Sequence, residues 1–303
     1  MQLPDDPLAS DEAAGAEAVT ELPFCTMLKY LGGLRLPVPH LYHDGTGEGF
    51  VLLEDLGDAT VLAELQREGG GPDALITIYR EAIDLLARFQ QATAPPADDR
   101  PYPDVVCYSR RFDYKLLRWE LEHFKEWLLL DYAGGQLSTS EDRLLENTFD
   151  EIAARLVGNP YRLSHRDYQS TNLMRRGEEL VLLDFQDALL APPVYDLVAL
   201  LRDSYVVIPP FQLDQLKSYY YEHRPDVMPF ENREEFETMF ALQTVQRKLK
   251  DAGRFVFIDR RKGNPGFLRF IDDSLVYVAR AFDQLPEYAN LRDLLSRSVP
   301  QLR

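Results

Sequence analysis

The stretch LSHRDYQSTNLMRRGEELVLLDFQDA, residues 163–188, concentrates polar side chains around two short strand-like runs. The runs LMRR and ELVLLD lie on either side of a turn at Arg176 and Gly177, a pattern that predicts a hairpin. The polar residues then lie at strand ends and on the loop that precedes the hairpin. Binding and catalytic residues concentrate at such positions. We therefore expect the functional site in this stretch.

The spacing of three residues predicts metal-assisted chemistry. Asp167 and Asn172 are five positions apart on one loop, and Asp184 ends the hairpin that follows. Because the hairpin folds the chain back, Asp184 can meet Asn172. Carboxylate and amide oxygens suit Mg²⁺, which binds through one or two protein oxygens and substrate phosphates. Asp167 could accept a proton from a hydroxyl nucleophile, so the set predicts phosphoryl transfer.

Each of these residues also has an ordinary structural explanation. Loops use carboxylates in turns and Asn as a cap, and for any one of the three that explanation is sufficient. The combination is more specific, because HxD, an Asn five positions after the Asp, and an apolar strand ending in DF rarely occur together by chance. The order of the residues therefore favours phosphoryl transfer.

Composition excludes several classes of protein. The chain has 303 residues, 45% of them hydrophobic, which suits one large domain or two lobes. A net charge of −17 argues against nucleic acid as a partner. No run approaches the ~20 apolar residues of a membrane helix, and the acidic start lacks the features of a signal peptide. Cys25 and Cys107 form no CxxC pair. We expect a cytoplasmic protein without membrane partners.

The rest of the chain is mostly helical by pattern. A short helix is expected to end at Gly32 and Gly33, and a hairpin follows whose second strand is GFVLLED. Long amphipathic segments predict helices over the remainder, one of them capped by Ser140. The basic stretch 246–262 has two interpretations. It is either a solvated helix end followed by a basic turn, or an anion-binding wall.

HRDYQSTN together with LLDFQDA resembles the catalytic loop and metal-binding segment of the protein-kinase-like superfamily, in its aminoglycoside and choline phosphotransferase branch. The segments LLEDLGD, PVYDLVALLRDSY and LQTVQRKLKDAGRF are similar to bacterial kinases that phosphorylate the anomeric hydroxyl of N-acetylmuramate and N-acetylglucosamine. The resemblance implies an α+β, two-lobed protein-kinase-like fold. Residues 1–56 would form a truncated N-terminal lobe ending in the hinge, and residues 57–303 a mainly helical C-terminal lobe.

The resemblance also implies roles for single residues. Asp167 would be the catalytic base, and Asn172 and Asp184 would bind Mg²⁺. His165 and Asp196 would be structural. The hinge, whose backbone would pair with the adenine of ATP, would consist of Leu53, Glu54, Asp55 and Leu56.

The acceptor is expected to be a small hydroxyl compound, most consistently an N-acetylated amino sugar. Hydroxyl and acetamide groups need neutral and charged partners. The lactyl carboxylate of N-acetylmuramate would suit Arg247 and Lys250, since Arg binds carboxylates with two hydrogen bonds. The full set of candidates is Gln169, Gln186, Asp187, Arg202, Asp203, Arg247 and Lys250.

The start of the chain departs from the family pattern. MQLPDDP resembles only the end of the third strand, and neither the phosphate-covering loop nor its strand-borne Lys has a counterpart. Lys29 precedes the hinge but lies on the expected helix. The start codon is then assigned too late, or the protein is naturally shortened.

Two other functions stay open: a pseudokinase-like binding module without turnover, and a kinase for an aminoglycoside or amino alcohol. The sequence does not specify an oligomeric state.

Overall fold

The structure, a computed structural model, describes residues 22–67, 71–95 and 102–303, and these residues form two compact units. The first unit contains the described residues up to 111 together with 162–191 and 214–228. The second contains 112–161, 192–213 and 229–303. The lobe boundary expected after Leu56 stays a prediction, because each unit joins segments that are distant in the sequence and neither unit begins or ends at that residue.

Helices make up most of the described chain, and the strands are short. The α-helices are α1 Pro23–Gly33, α2 Val61–Arg67, α3 Pro72–Ala92, α4 Tyr114–His123, α5 Thr139–Val157, α6 Tyr195–Leu201, α7 Pro210–His223, α8 Arg233–Lys262, α9 Ile271–Phe282 and α10 Ala289–Ser296. The strands are β1 Leu41–Gly45, β2 Phe50–Leu53, β3 Arg162–Ser164, β4 Leu173–Arg176, β5 Glu179–Leu182 and β6 Leu189–Ala191. No helix in these described ranges is long and apolar enough to cross a membrane.

The first helix and hairpin agree with the prediction. Helix α1 ends at Gly33, and β1 pairs with β2 in antiparallel register from Leu41 opposite Leu53 to Gly45 opposite Phe50. Leu22, at the start of α1, packs with Cys25 and Val51 in a small buried cluster. This cluster fixes the hairpin on the helix and so sets the direction in which the chain leaves β2.

Two antiparallel strand pairs frame the stretch 163–188. β4 pairs with β5 around Gly177, whose φ of +61° suits the tight turn, so the predicted hairpin is confirmed. β3 pairs with β6, with Ser164 opposite Leu189. The polar loop therefore begins at the end of one strand pair and leads into the next, and its ends are fixed by both ladders.

In the second unit a π-helix, Phe124–Tyr132, follows α4 directly. Leu117, Leu121, Phe124 and Leu128 are buried along one stripe, as the helical spacing of these apolar residues predicts, but the chain changes from α to π geometry at Phe124. The predicted Ser140 cap is wrong. Ser138 caps α5 instead, in a capping box with Glu141.

The basic stretch 246–262 lies entirely within α8, which ends at Lys262 with Gly263 as its C-cap. Residues 246–249 of this stretch are buried. The basic turn expected there is wrong, because the stretch is helical to Lys262 and starts in the core, although residues 260–262 are the exposed helix end that the same interpretation expects. The interpretation as an anion-binding wall remains a prediction.

Helix α8 approaches the start of the π-helix at backbone distance. A Cβ atom at Gly253 would lie 2.6 Å from the carbonyl oxygen of His123 and 2.7 Å from the Cα of Phe124. We expect Gly253→Ala to lower the free energy of unfolding by about 2–3 kcal/mol, since overpacking against backbone cannot be relieved by a rotamer change. The midpoint of urea unfolding measures the effect.

Gly33 provides the matched control, because it is also helical and a Cβ there would meet nothing within 4 Å. Gly33→Ala should leave stability unchanged or raise it, as Ala is the better helix former. Equal stability of Gly253→Ala and the wild type would show that the two helices can separate without cost.

Candidate active site

The loop after β3 is held rigidly by its own backbone. The Arg166 N–H donates to Ser164 Oγ at 3.1 Å, and Arg166 has a φ of +78°, a left-handed conformation that is costly for a residue with a side chain. The Gln169 N–H donates to the Asp167 carbonyl at 2.9 Å, and the Asn172 N–H to the Gln169 carbonyl at 2.9 Å. The strained turn and these bonds fix the backbone from which the Asp167 and Asn172 side chains extend.

Aromatic packing also fixes the loop after β3. His165 is fully buried and lies edge-on to the rings of Phe89, Tyr168 and Phe185. The Tyr168 hydroxyl donates to the Ala82 carbonyl on α3 at 2.7 Å. This burial agrees with the structural role predicted for His165, whose imidazole is enclosed by rings of the core.

The hairpin brings Asp184 back to Asn172 as predicted. The Leu183 N–H donates to the Asn172 carbonyl at 2.9 Å. The Asn172 amide donates to the Asp167 carbonyl at 2.8 Å and lies 3.4 Å from Asp184 Oδ2. Thus one amide group lies beside both aspartates of the predicted site. Asp184 has a φ of +62°, a second strained backbone position in the loop.

The donor set fits Mg²⁺. Both atoms that face the Asn172 amide nitrogen are acceptors, so the nitrogen must point toward them and the amide oxygen Oδ1 is the atom left for a metal. Asp184 adds an exposed carboxylate. The described ranges hold no group of three or more His, Cys, Asp or Glu side chains suited to a metal. Two protein oxygens completed by substrate phosphates are the usual arrangement for Mg²⁺.

Gln186 has a contact that the sequence did not predict. Its side-chain amide donates to Asp184 Oδ1 at 2.6 Å, so the residue predicted to bind the acceptor lies against the proposed metal ligand. Phe185, between the two, is fully buried and stacks on Phe24 with ring centroids 5.3 Å apart. The buried ring fixes the backbone from which both polar side chains extend.

The segment predicted to be the hinge is ordered by Glu54. Its N–H donates to the His40 carbonyl at 2.8 Å, and its carboxylate accepts from the His40 N–H and from Arg176, each at 3.0 Å. The His40 N–H, and then Arg176, hold the pKa of the Glu54 carboxyl below its ordinary value. The Glu54 N–H is therefore already used within the described residues, and the adenine contacts expected of the hinge stay predictions.

Two arginines hold the hairpin in place from either side. Arg175 reaches Glu64 on α2 and Glu81 on α3, with the shortest contact 2.7 Å. Arg176 reaches Glu54 of the hinge. The strand pair that ends in Asp184 is therefore tied to the hinge and to two helices within the first unit.

The family follows from comparison with known proteins. The sequence model of a family described as phosphotransferase enzymes matches residues 8–230. The chain belongs to this phosphotransferase family. Two curated relatives are named N-acetylmuramate/N-acetylglucosamine kinase. The one from Pseudomonas putida is 30% identical over 90% of this chain and 77% of the relative. The one from Neisseria meningitidis serogroup B is 33% identical over 86% of this chain and 75% of the relative.

Solved structures support the fold of this phosphotransferase. A choline/ethanolamine kinase family protein from Mesorhizobium loti aligns with a TM-score of 0.55 at 14% identity, over 95% of this chain and 84% of that one. An ADP-bound aminoglycoside phosphotransferase aligns with a TM-score of 0.53 at 15% identity, over 86% and 82% of the two chains. The predicted family, the kinase-like α+β fold and the assignment as a kinase are confirmed.

Not all predicted acceptor residues of the phosphotransferase lie in the unit that carries Asp167. Gln169, Gln186 and Asp187 are half-buried in the first unit. The residues of the second unit are Arg202, Asp203, Arg247 and Lys250. Arg202 is buried with its guanidinium 4.9 Å from the ring centroid of Tyr277. Asp203 is buried and accepts from the Tyr205 N–H at 2.9 Å.

The structure adds buried partners to Arg247 and Lys250. Asp251 receives Lys248 Nζ at 2.9 Å and Lys250 Nζ at 3.2 Å. Burial opposes ionisation of the Asp251 carboxyl, but the cations of Lys248, Lys250 and Arg247 outweigh it and hold its pKa below the ordinary value. Burial lowers the pKa of Lys248 despite its bond to Asp251. Each charge in this group has an opposite charge beside it, which avoids the cost of an unpaired charge in the core, and the roles of Arg247 and Lys250 toward an acceptor stay predictions.

Asp196 is buried in the first turn of α6, with 3% of its surface exposed. A buried carboxylate at a helix N-terminus is favoured by the helix dipole. The position is consistent with the structural role predicted for Asp196, and that role remains a prediction.

Proposed function

We propose that this kinase transfers the γ-phosphoryl group of ATP to the anomeric hydroxyl of N-acetylmuramate or N-acetylglucosamine. The observation that carries the chemistry is the Asn172 amide beside the Asp167 carbonyl and the Asp184 carboxylate. The acceptor is suggested by relatives named for these sugars, which are 30% and 33% identical over most of the chain.

In the proposed reaction Asp167 orients the acceptor hydroxyl and takes its proton. The anomeric oxygen forms a bond to the γ-phosphorus as the bond from that phosphorus to the β,γ-bridging oxygen breaks, and ADP leaves with the electron pair. An anomeric hydroxyl is more acidic than an ordinary alcohol, so Asp167 can collect the proton late. Asn172 keeps Asp167 in place by binding its carbonyl.

Asn172 Oδ1 and the Asp184 carboxylate would hold Mg²⁺, which when bound neutralises charge on the phosphates. The hinge around Leu56 would hold the adenine. Arg247 and Lys250 are proposed for the lactyl carboxylate, and Gln169, Asp187, Arg202 and Asp203 for hydroxyl and acetamide groups. A cytoplasmic location agrees with this function and stays a prediction.

An ATP-consumption assay over a panel of acceptors tests the proposal. The panel contains N-acetylmuramate, N-acetylglucosamine, its methyl glycoside, choline and an aminoglycoside. The methyl glycoside is the sharpest comparison, because it keeps every group of the sugar except the free anomeric hydroxyl. We expect rapid consumption with the free sugars, none with the methyl glycoside, and a product whose phosphorus signal identifies a sugar 1-phosphate.

Other results would select another function. Equal rates with the free sugar and its methyl glycoside would move the reaction to a different hydroxyl. Turnover with choline or the aminoglycoside alone would replace the sugar as acceptor. Nucleotide binding without consumption for any acceptor would favour a binding module over an enzyme.

A further inference from the structure

The carboxylate of Asp184 is held from both of its oxygens by neutral amides. Gln186 Nε2 donates to Oδ1 at 2.6 Å, and Asn172 Nδ2 lies 3.4 Å from Oδ2. The carboxylate itself is exposed, and its backbone is in the left-handed region with φ of +62°. An exposed carboxylate normally rotates among several orientations. The shorter of the two contacts, that of Gln186, is the stronger restraint on this rotation.

The anchoring of Phe185 makes the restraint effective. Phe185 is fully buried, stacks on Phe24, and its carbonyl accepts from the Ala188 N–H at 3.1 Å. Asp184 and Gln186 flank this fixed residue, so the backbone positions from which the two side chains reach each other cannot move apart without moving a core ring. The pair is therefore a rigid arrangement of donor and acceptor.

We propose that Gln186 is a positioning residue that sets the orientation of the Asp184 carboxylate for the divalent cation. The proposal rests on the proposed function, because it assumes that Asp184 binds the metal. Partners that orient ligating side chains contribute to metal affinity without touching the metal. A neutral amide suits this task, since it restrains the carboxylate and leaves its negative charge available to the cation. An Arg or Lys in its place would compete with the metal.

The proposal makes a specific statement about cation preference. Mg²⁺ requires near-octahedral geometry, and Mn²⁺, its paramagnetic substitute, commonly binds in an octahedron of oxygens, whereas Ca²⁺ accepts flexible coordination. Loss of the Gln186 restraint should therefore weaken the small cation more than Ca²⁺. A residue that only stabilises the fold would affect the two cations equally.

Binding of Mn²⁺ and of Ca²⁺ to the full chain saturated with ADP tests this without turnover. Free Mn²⁺ is read by electron paramagnetic resonance, and Ca²⁺ by calorimetry. Gln186→Met keeps the size of the side chain and removes its donor. The matched control is Gln66→Met, at an exposed position of α2. We expect Gln186→Met to weaken Mn²⁺ binding about tenfold, with a clearly smaller loss for Ca²⁺, and Gln66→Met to change neither.

Three results would overturn the proposal, and they are distinguishable. Unchanged Mn²⁺ affinity in Gln186→Met, alongside lost affinity in Asp184→Asn, removes the role of Gln186 and leaves the proposed function standing. Equal weakening of Mn²⁺ and Ca²⁺ in Gln186→Met makes Gln186 a structural residue, again without affecting the proposed function. Wild-type protein that binds Mn²⁺ with ADP no better than Asp184→Asn overturns the proposed metal site, and the role of Gln186 with it.

Discussion

Asp167→Asn should lower the turnover number about 10²- to 10⁴-fold, the range that a positioned general base contributes, with nucleotide affinity nearly unchanged. The substitution keeps the shape of the side chain and the carbonyl that the Asn172 amide binds. It removes only the group proposed to take the acceptor proton. Asp167→Ala should give at least the same loss. The initial rate of ATP consumption at saturating sugar, and calorimetric binding of ADP, measure the two quantities separately.

Asp226→Asn is the control, because Asp226 is an exposed carboxylate of the same unit outside the site. It should have wild-type turnover and affinity. Wild-type rates in Asp167→Asn and Asp167→Ala would show that another group, or solvent, receives the proton. A loss of ADP affinity equal to the loss of rate would instead mean that Asp167 supports nucleotide binding.

The arrangement around Asn172 could be predicted because it depends on local geometry. Gly177 sets the turn of the hairpin, and the strands on both sides have equal length, so the residue before β4 must lie beside the residues after β5. A period-two pattern and a turn residue are enough to derive this. The proximity of Asn172 and Asp184 is therefore a consequence of the sequence between them.

The contact of Gln186 with Asp184 could not be predicted in the same way. Its existence depends on side-chain rotamers and on the buried position of Phe185, which packs on Phe24 more than a hundred residues earlier. The sequence indicates that Gln186 is near the site, and its amide could equally face an acceptor. Only the packing of the ring decides which way it points.

Other differences have physical reasons of the same kind. The pattern Ser138-x-x-Glu141 is a capping box signal, so the sequence does contain the correct helix start, two residues before the cap predicted at Ser140. The burial of Lys248 was not visible, because a buried charge pair and a solvated one have the same spacing along a helix. The change to π geometry after α4 also has no sequence signature, and it occurs where Gly253 brings α8 against His123.

Asp184→Asn should remove most of the rate and shift the Mg²⁺ concentration that supports the remaining rate to much higher values. The substitution keeps an oxygen at the same place but deletes the negative charge, and metal coordination contributes several kcal/mol to stabilising the transferring phosphate, which corresponds to about 10²-fold or more in rate. A chelator added to the wild-type assay should abolish turnover, and added Mg²⁺ should restore it. In Asp184→Asn much higher Mg²⁺ should be needed for a small residual rate.

Asp226→Asn again provides the matched control and should follow the wild-type Mg²⁺ titration. An Asp184→Asn variant with the wild-type Mg²⁺ midpoint but a low rate would place the carboxylate in the chemistry without the metal. A variant unchanged in both would exclude Asp184 from the site. Because Asp184 occupies a strained backbone conformation, with φ of +62°, Asn is tolerated there better than most side chains. Loss of activity in this variant can then be attributed to the missing charge, provided that its unfolding midpoint matches that of the wild type.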